Sequence, residues 1–114
     1  MKRKLWISTV VLWCGVGWNS FAADKKVERL FNSKCAACHG KDGKGQTEKG
    51  QKMAVRDMGS AEYQKGTDAD FKKAIAEGIS RTKDGKKQEM DPYKDELNDA
   101  DVDALIKVVR GFKQ

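Results

Sequence analysis

The chain has 114 residues, of which 35% are charged and 39% hydrophobic, enough for one globular domain and too few for two. Its formal net charge of +6 does not point to nucleic acid, because three of the basic residues stand in a segment that reads as a removable leader. Without them, 20 Lys plus Arg face 17 Asp plus Glu, a formal charge of +3.

That leader opens with Met1-Lys2-Arg3-Lys4 and continues as an apolar stretch of 14 residues, Leu5 to Trp18, interrupted only by Ser8 and Thr9. The stretch is shorter than the roughly 17–25 residues of a stable membrane-crossing helix. Ser20-Phe21-Ala22 places small residues at the −3 and −1 positions of a cleavage site. The expectation is a secretory signal peptide over 1–22, export to the periplasm, and a mature domain over 23–114. Lipidation at Cys14 fits less well, since Trp13 stands where a small residue belongs. A retained anchor would need tilt or bilayer thinning.

Asp24 is a candidate N-cap, and Val27, Leu30 and Phe31 at i, i+3 and i+4 mark one face of a first helix over about Lys25 to Lys34. This helix leads directly into Cys35-Ala36-Ala37-Cys38-His39. Cysteines at i and i+3 lie on one side of a helical turn, so both thiols can reach the two vinyl groups on one haem edge, and His39 can place its imidazole at the iron. C-x-x-C-H is the attachment pattern of c-type haem, and imidazole is a common iron ligand. Zinc normally takes four Cys and His ligands, whereas 23–114 holds two cysteines and one histidine. A thioredoxin-like pair would need flanking strands, and none is signalled. A plain disulfide across so short a loop would restrict the unfolded chain little.

Gly40 to Lys52, punctuated by Gly40, Gly43, Gly45 and Gly50, reads as a loop. A short helical piece is weakly marked at Ser60 to Gln64. Thr67, with Asp70 three residues on, opens a second helix over Asp68 to Glu77, with Phe71, Ala74 and Ile75 on one face and Gly78 as its stop. Ser80 to Leu97, containing Met90-Asp91-Pro92-Tyr93, reads as a long polar loop. Asn98 precedes a third helix whose Asp99, Asp101 and Asp103 suit the positive end of its dipole and whose Val102, Leu105, Ile106 and Val109 form its apolar stripe; Arg110 and Gly111 close it. Such long loops need an organiser other than the chain, and three short helices leave the centre of the core unfilled. A haem supplies both, surrounded by Val27, Leu30, Phe31, Phe71, Ile75, Leu105 and Val109.

The order and spacing of these features, from the helix that ends in Cys35-Ala36-Ala37-Cys38-His39 through Asp68 to Ile79 to the methionine loop and the terminal helix, resemble the class I cytochromes c over essentially the whole of 23–114. The resemblance implies an all-α fold of three main helices and long loops around one covalently bound haem c, terminal helices packed across each other, and His/Met iron coordination. Two departures stand out. Asp91 separates Met90 from Pro92 where the family commonly has Met-Pro. No proline follows the motif between Gly40 and Lys52, so the carbonyl that would orient His39 is unassigned, although a ligating imidazole needs such an acceptor.

Of three methionines in 23–114, Met90 is the expected sixth ligand. Met53 and Met58 follow His39 by only 14 and 19 residues, so either would have to cross early to the opposite haem face. Met90 lies beyond the second helix, in a segment stiffened by Pro92 and followed by Tyr93. Iron with both axial positions filled has no open position for a substrate, which implies an electron carrier and not an enzyme. Its partners would be donor and acceptor proteins, with no nucleic acid, no membrane span after cleavage and a monomeric state. A haem enzyme or gas sensor with a labile distal position is the alternative, as is a fixed subunit of a larger oxidoreductase. Lys41, Lys44, Lys49 and Lys52, with Lys83, Lys86 and Lys87, could ring the haem edge and steer an acidic partner; a merely solvated lysine-rich surface is the competing reading.

Overall fold

The computed structural model describes residues 19–114; the expected leader up to Trp18 lies outside the described residues. The first helix, α1, runs Asn19–Lys34. It starts before the expected Lys25, and Asp24 lies inside it instead of capping it. No glycine or proline interrupts Asn19 to Asp24, and Ala22 and Ala23 are strong helix formers, so nothing local stops the helix at Asp24. Among the described residues no helix is long and apolar enough to cross a membrane.

The attachment motif forms a single turn, α2, over Ala36–His39. Continuity with α1 is kept by the Cys35 N–H donating to the Phe31 carbonyl at 2.8 Å, and Gly40, at φ 79°, ends the turn.

The expected loop from Gly40 to Lys52 is a loop only in its first part, because Thr47 caps a short helix, α3, over Glu48–Lys52. The Thr47 hydroxyl accepts from the Gly50 N–H at 2.9 Å and donates to the Cys38 carbonyl at 2.7 Å, which ties α3 to α2. Gly50 is required there, since a Cβ would strike the carbonyls of Cys38 and Gly45. Glycine has poor helix propensity and conceals this helix in the sequence; the close approach to α2 overrides that cost.

Ser60 caps α4, Ala61–Gln64, and Thr67 caps α5, Asp68–Glu77, with the reciprocal Thr67–Asp70 capping box complete. Asn98 and Asp101 form the same device at the start of α6, Asp99–Gly111. Both α1 and α5 pack on α6. Phe31, Phe71, Leu105 and Val109 are buried as expected, joined by Met58, Leu97, Val102 and Ile106, while Val27, Leu30 and Ile75 pack at the edge of this cluster. Arg110 staples α6 to the start of α5: its guanidinium bonds Asp68 and the carbonyls of Gln64 and Gly66, and lies 4.7 Å over the Phe71 ring.

Ser80 to Leu97 departs most from its expected form. Instead of an irregular loop in an all-α fold, the chain forms an antiparallel hairpin, β1 Ile79–Lys83 and β2 Lys86–Met90, in register Ile79↔Met90, Arg81↔Gln88 and Lys83↔Lys86. Asp84 and Gly85, at φ 52° and 76°, make a two-residue turn of the sort Asp-Gly favours. The Asp-Gly pair is a usable hairpin signal. It is masked because the flanking strands lack alternating hydrophobics: their ten residues include only Ile79 and Met90 as apolar side chains. The described residues are therefore mostly helical with one small two-stranded sheet.

Candidate haem site

The turn after α1 aims three chemical groups in one direction. Cys35, Cys38 and His39 all line a cavity of about 200 Å³ whose inner wall includes Phe31, Phe71, Leu105 and Val109. Over its other side lies the hairpin face carrying Ile79, Arg81, Gln88 and Met90. All three methionines, Met53, Met58 and Met90, reach this cavity. Tyr93 lines it as well.

The donor groups suit a covalently held haem. Both cysteines are free and half-buried, so neither is committed to a disulfide. Burial pushes the Cys35 thiol up to about 11 against the smaller opposing pull of Lys34; an uncharged sulfur, such as a thioether, is what this environment accepts. Burial also holds His39 below its usual range, hence neutral, the form in which imidazole binds metals.

His39 Nδ1 is buried without a hydrogen-bond partner. An enclosed polar atom left unpaired costs about 1–3 kcal/mol, and such groups in native folds call for a functional explanation. The backbone around the ring is nonetheless fixed: the Gly45 N–H donates to the His39 carbonyl at 2.7 Å, and Thr47 holds the Cys38 carbonyl. The acceptor that the missing proline leaves unassigned is thus not supplied by any hydrogen bond to Nδ1.

The methionines differ in how they are held. Met58 is a buried core residue whose N–H donates to the Gly43 carbonyl, and Met53 follows α3, which packs on α2. Both therefore belong to the segment packed around the His39 turn. Met90 ends β2, half-buried, on the hairpin. Just after it, Tyr93 ties the chain down: its N–H donates to the Ile75 carbonyl at 3.0 Å, and its hydroxyl donates to the Lys34 carbonyl at 3.1 Å.

Nothing in the sequence marks Arg56, Tyr63, Arg81 and Gln88 as part of this site. Arg56 lies 5.0 Å over the Tyr63 ring, Arg81 bonds Gln88, and all four line the cavity. Burial raises the Tyr63 hydroxyl, and Arg56 and Arg81 oppose that shift. No spacing rule links these positions; only the hairpin brings Arg81 to the cavity.

Comparison with known proteins identifies the family. The sequence profile of the cytochrome c family matches residues 25–112. Among solved structures, the chain is similar to the KustC0563 c-type cytochrome, with a TM-score of 0.63 and 35% identity over 76% of this chain and 96% of that one. It is also similar to a tyrosine-to-phenylalanine mutant of Kustc0563, with a TM-score of 0.61 and 36% identity over 76% of this chain and 98% of that one. A search of curated proteins finds no match. With the profile spanning almost all of the described residues, and the C-x-x-C-H turn opening on an apolar cavity, the chain belongs to the cytochrome c family as a class I c-type cytochrome, an electron carrier built around covalently bound haem c.

Proposed function

We propose that the chain carries one haem, joined by thioethers to Cys35 and Cys38, with His39 and Met90 as the two axial ligands of the iron, and that it shuttles single electrons between proteins in the periplasm without transforming a substrate. The observation that carries this reading is the convergence of Cys35, Cys38, His39 and Met90, from two separate parts of the chain, on one cavity with apolar walls. When bound, the haem supplies a one-electron Fe(III)/Fe(II) couple. The chain's own part is to exclude water with Phe31, Phe71, Leu105 and Val109, and to fix both ligands so that little moves when charge changes. Arg56 and Arg81, exposed side chains at the cavity, are the cations available to the two haem carboxylates. Methionine opposite histidine raises the reduction potential relative to a second nitrogen ligand.

Visible spectroscopy tests the assignment. The parent protein should show the weak far-red band of oxidised Met-ligated haem and should not bind carbon monoxide when reduced. Met90→Ala should lose that band, lower the potential and admit carbon monoxide, while Met53→Ala and Met58→Ala keep the parent's behaviour. Retention of the band in Met90→Ala with its loss in Met58→Ala would move the ligand to Met58. Carbon monoxide binding by the parent would favour the enzyme or sensor reading.

A further inference from the structure

The hairpin that brings Met90 to the cavity has almost nothing apolar to hold it down. Of its ten residues only Gln88 is buried, 8% exposed, and only Ile79 and Met90 are half-buried. An isolated two-stranded hairpin is marginal in water, so its position must come from specific contacts. The alternation of side chains puts Gln88 and Met90 on the same face of β2, two residues apart. Arg81, the cross-strand partner of Gln88, shares that face.

Both ends of the Gln88 amide are engaged. Its Nε2 donates to the Met53 carbonyl at 2.9 Å and to the Ala54 carbonyl at 3.2 Å, and its Oε1 accepts from Arg81 Nε at 2.7 Å. The two carbonyls lie just past the end of α3, where Ala54 turns the chain at φ 50°. A helix end leaves such carbonyls without partners of their own. α3 is in turn bound to the Cys38 carbonyl through Thr47. A continuous hydrogen-bonded path therefore runs from the turn that carries His39, through α3, to the strand that carries Met90. The remaining tether from the hairpin to this segment, Lys86 Nζ to the Gln51 carbonyl at 3.2 Å, is open to solvent.

We infer that Gln88 is the positioning residue for the methionine ligand: its buried amide docks β2 on the carbonyls of Met53 and Ala54 and so holds the Met90 thioether at the iron. In place of a Met-Pro turn, with Asp91 intervening, the chain uses a buried amide to keep the ligand strand closed. This rests on the reading of Met90 as the sixth ligand. Loss of the docking bonds raises the fraction of molecules in which Met90 is off the iron. An external ligand that binds only the open form then binds more tightly, in proportion to that fraction.

The test is equilibrium imidazole binding to the oxidised holoprotein, read from the far-red band, beside helicity by circular dichroism. Gln88→Leu should bind imidazole at least about tenfold more tightly than the parent, since two amide–carbonyl bonds are lost. Thr82→Ala, on an exposed position of β1, should match the parent. Gln88→Glu is nearly isosteric and keeps the Arg81 bond while losing both donors, so it decides the matter if Gln88→Leu loses its haem or its helicity. Tighter imidazole binding by Gln88→Glu with parent-like helicity supports the inference. A purely structural Gln88 would lower the unfolding midpoint and leave imidazole affinity at the parent value, and that result overturns it. Met90→Ala separates the two readings: if it keeps the far-red band, the ligand assignment fails; if it loses the band while the Gln88 variants bind imidazole like the parent, only the positioning role fails.

Discussion

Removing the haem's attachment points should unfold most of the chain. The perturbation is the double substitution Cys35→Ser, Cys38→Ser, purified free of haem. The cavity left behind measures about 200 Å³, and an empty apolar cavity costs about 24 cal/mol per Å³, so its emptiness is worth about 5 kcal/mol. Water entering at the mouth, where Arg56, Arg81 and Gln88 offer it partners, relieves part of this. A domain of this length has a total stability of about 5–14 kcal/mol at the usual 0.05–0.15 kcal/mol per residue. The loss is therefore comparable with the lower end of the whole. Far-ultraviolet circular dichroism with a guanidinium titration measures it: the haem-free variant should show much reduced helicity and no cooperative transition. Near-native helicity with a sharp unfolding transition would refute the reasoning, because Phe31, Met58, Phe71 and the stripe of α6 would then suffice as a core.

Gly78 sits at φ 74° and ψ −178°, a region that is essentially glycine's alone, and a Cβ there would meet the Met90 carbonyl and the Pro92 nitrogen; Gly78→Ala should cost about 1–3 kcal/mol, seen as a lower thermal midpoint, and an unchanged midpoint would contradict the geometry. The Thr67 backbone N–H, donating to the Asp70 carboxylate, and the neighbouring Thr67 side chain hold that carboxyl below its ordinary value of 3.8, so its contribution to stability is fully present above that value and is lost as pH falls through the depressed one. Asp70→Ala should accordingly be less stable than the parent at neutral pH, with the gap shrinking in acid; a gap that widens in acid would be the wrong sign. Lys41, Lys44, Lys49, Lys52, Lys83, Lys86 and Lys87 are all exposed, and Lys86 reaching Gln51 brings the hairpin's cations beside those of α3. Electron exchange with an acidic partner should slow as salt rises, and a salt-independent rate would favour a merely solvated surface. The intact mass of native protein should correspond to a chain starting at Ala23 plus one haem; a chain retaining Trp18 would argue for an anchor.

How much of this is legible in the sequence follows from how local each feature is. Cys35, Cys38 and His39 share one helical turn, so their spacing alone states which groups can meet. The capping pairs Thr67–Asp70 and Asn98–Asp101 are equally local, and α5 and α6 begin where those pairs place them. The stripe of α6 follows from helical period, and its residues are buried accordingly. The hairpin is different: its strands have no apolar alternation, and Gln88 is docked on Met53 and Ala54, 35 and 34 residues away. A polar side chain in a polar segment carries no local mark of burial; only the carbonyls left past the end of α3 give it a reason to be inside. The same holds for α3, where Gly50 weakens the helix locally and the approach to the Cys38 carbonyl rewards it. Chain-local chemistry thus determined the attachment turn and the main helices, whereas the hairpin, the cations Arg56 and Arg81 at the cavity and the docking of the Met90 strand were decided by hydrogen bonds and burial between segments that no spacing connects.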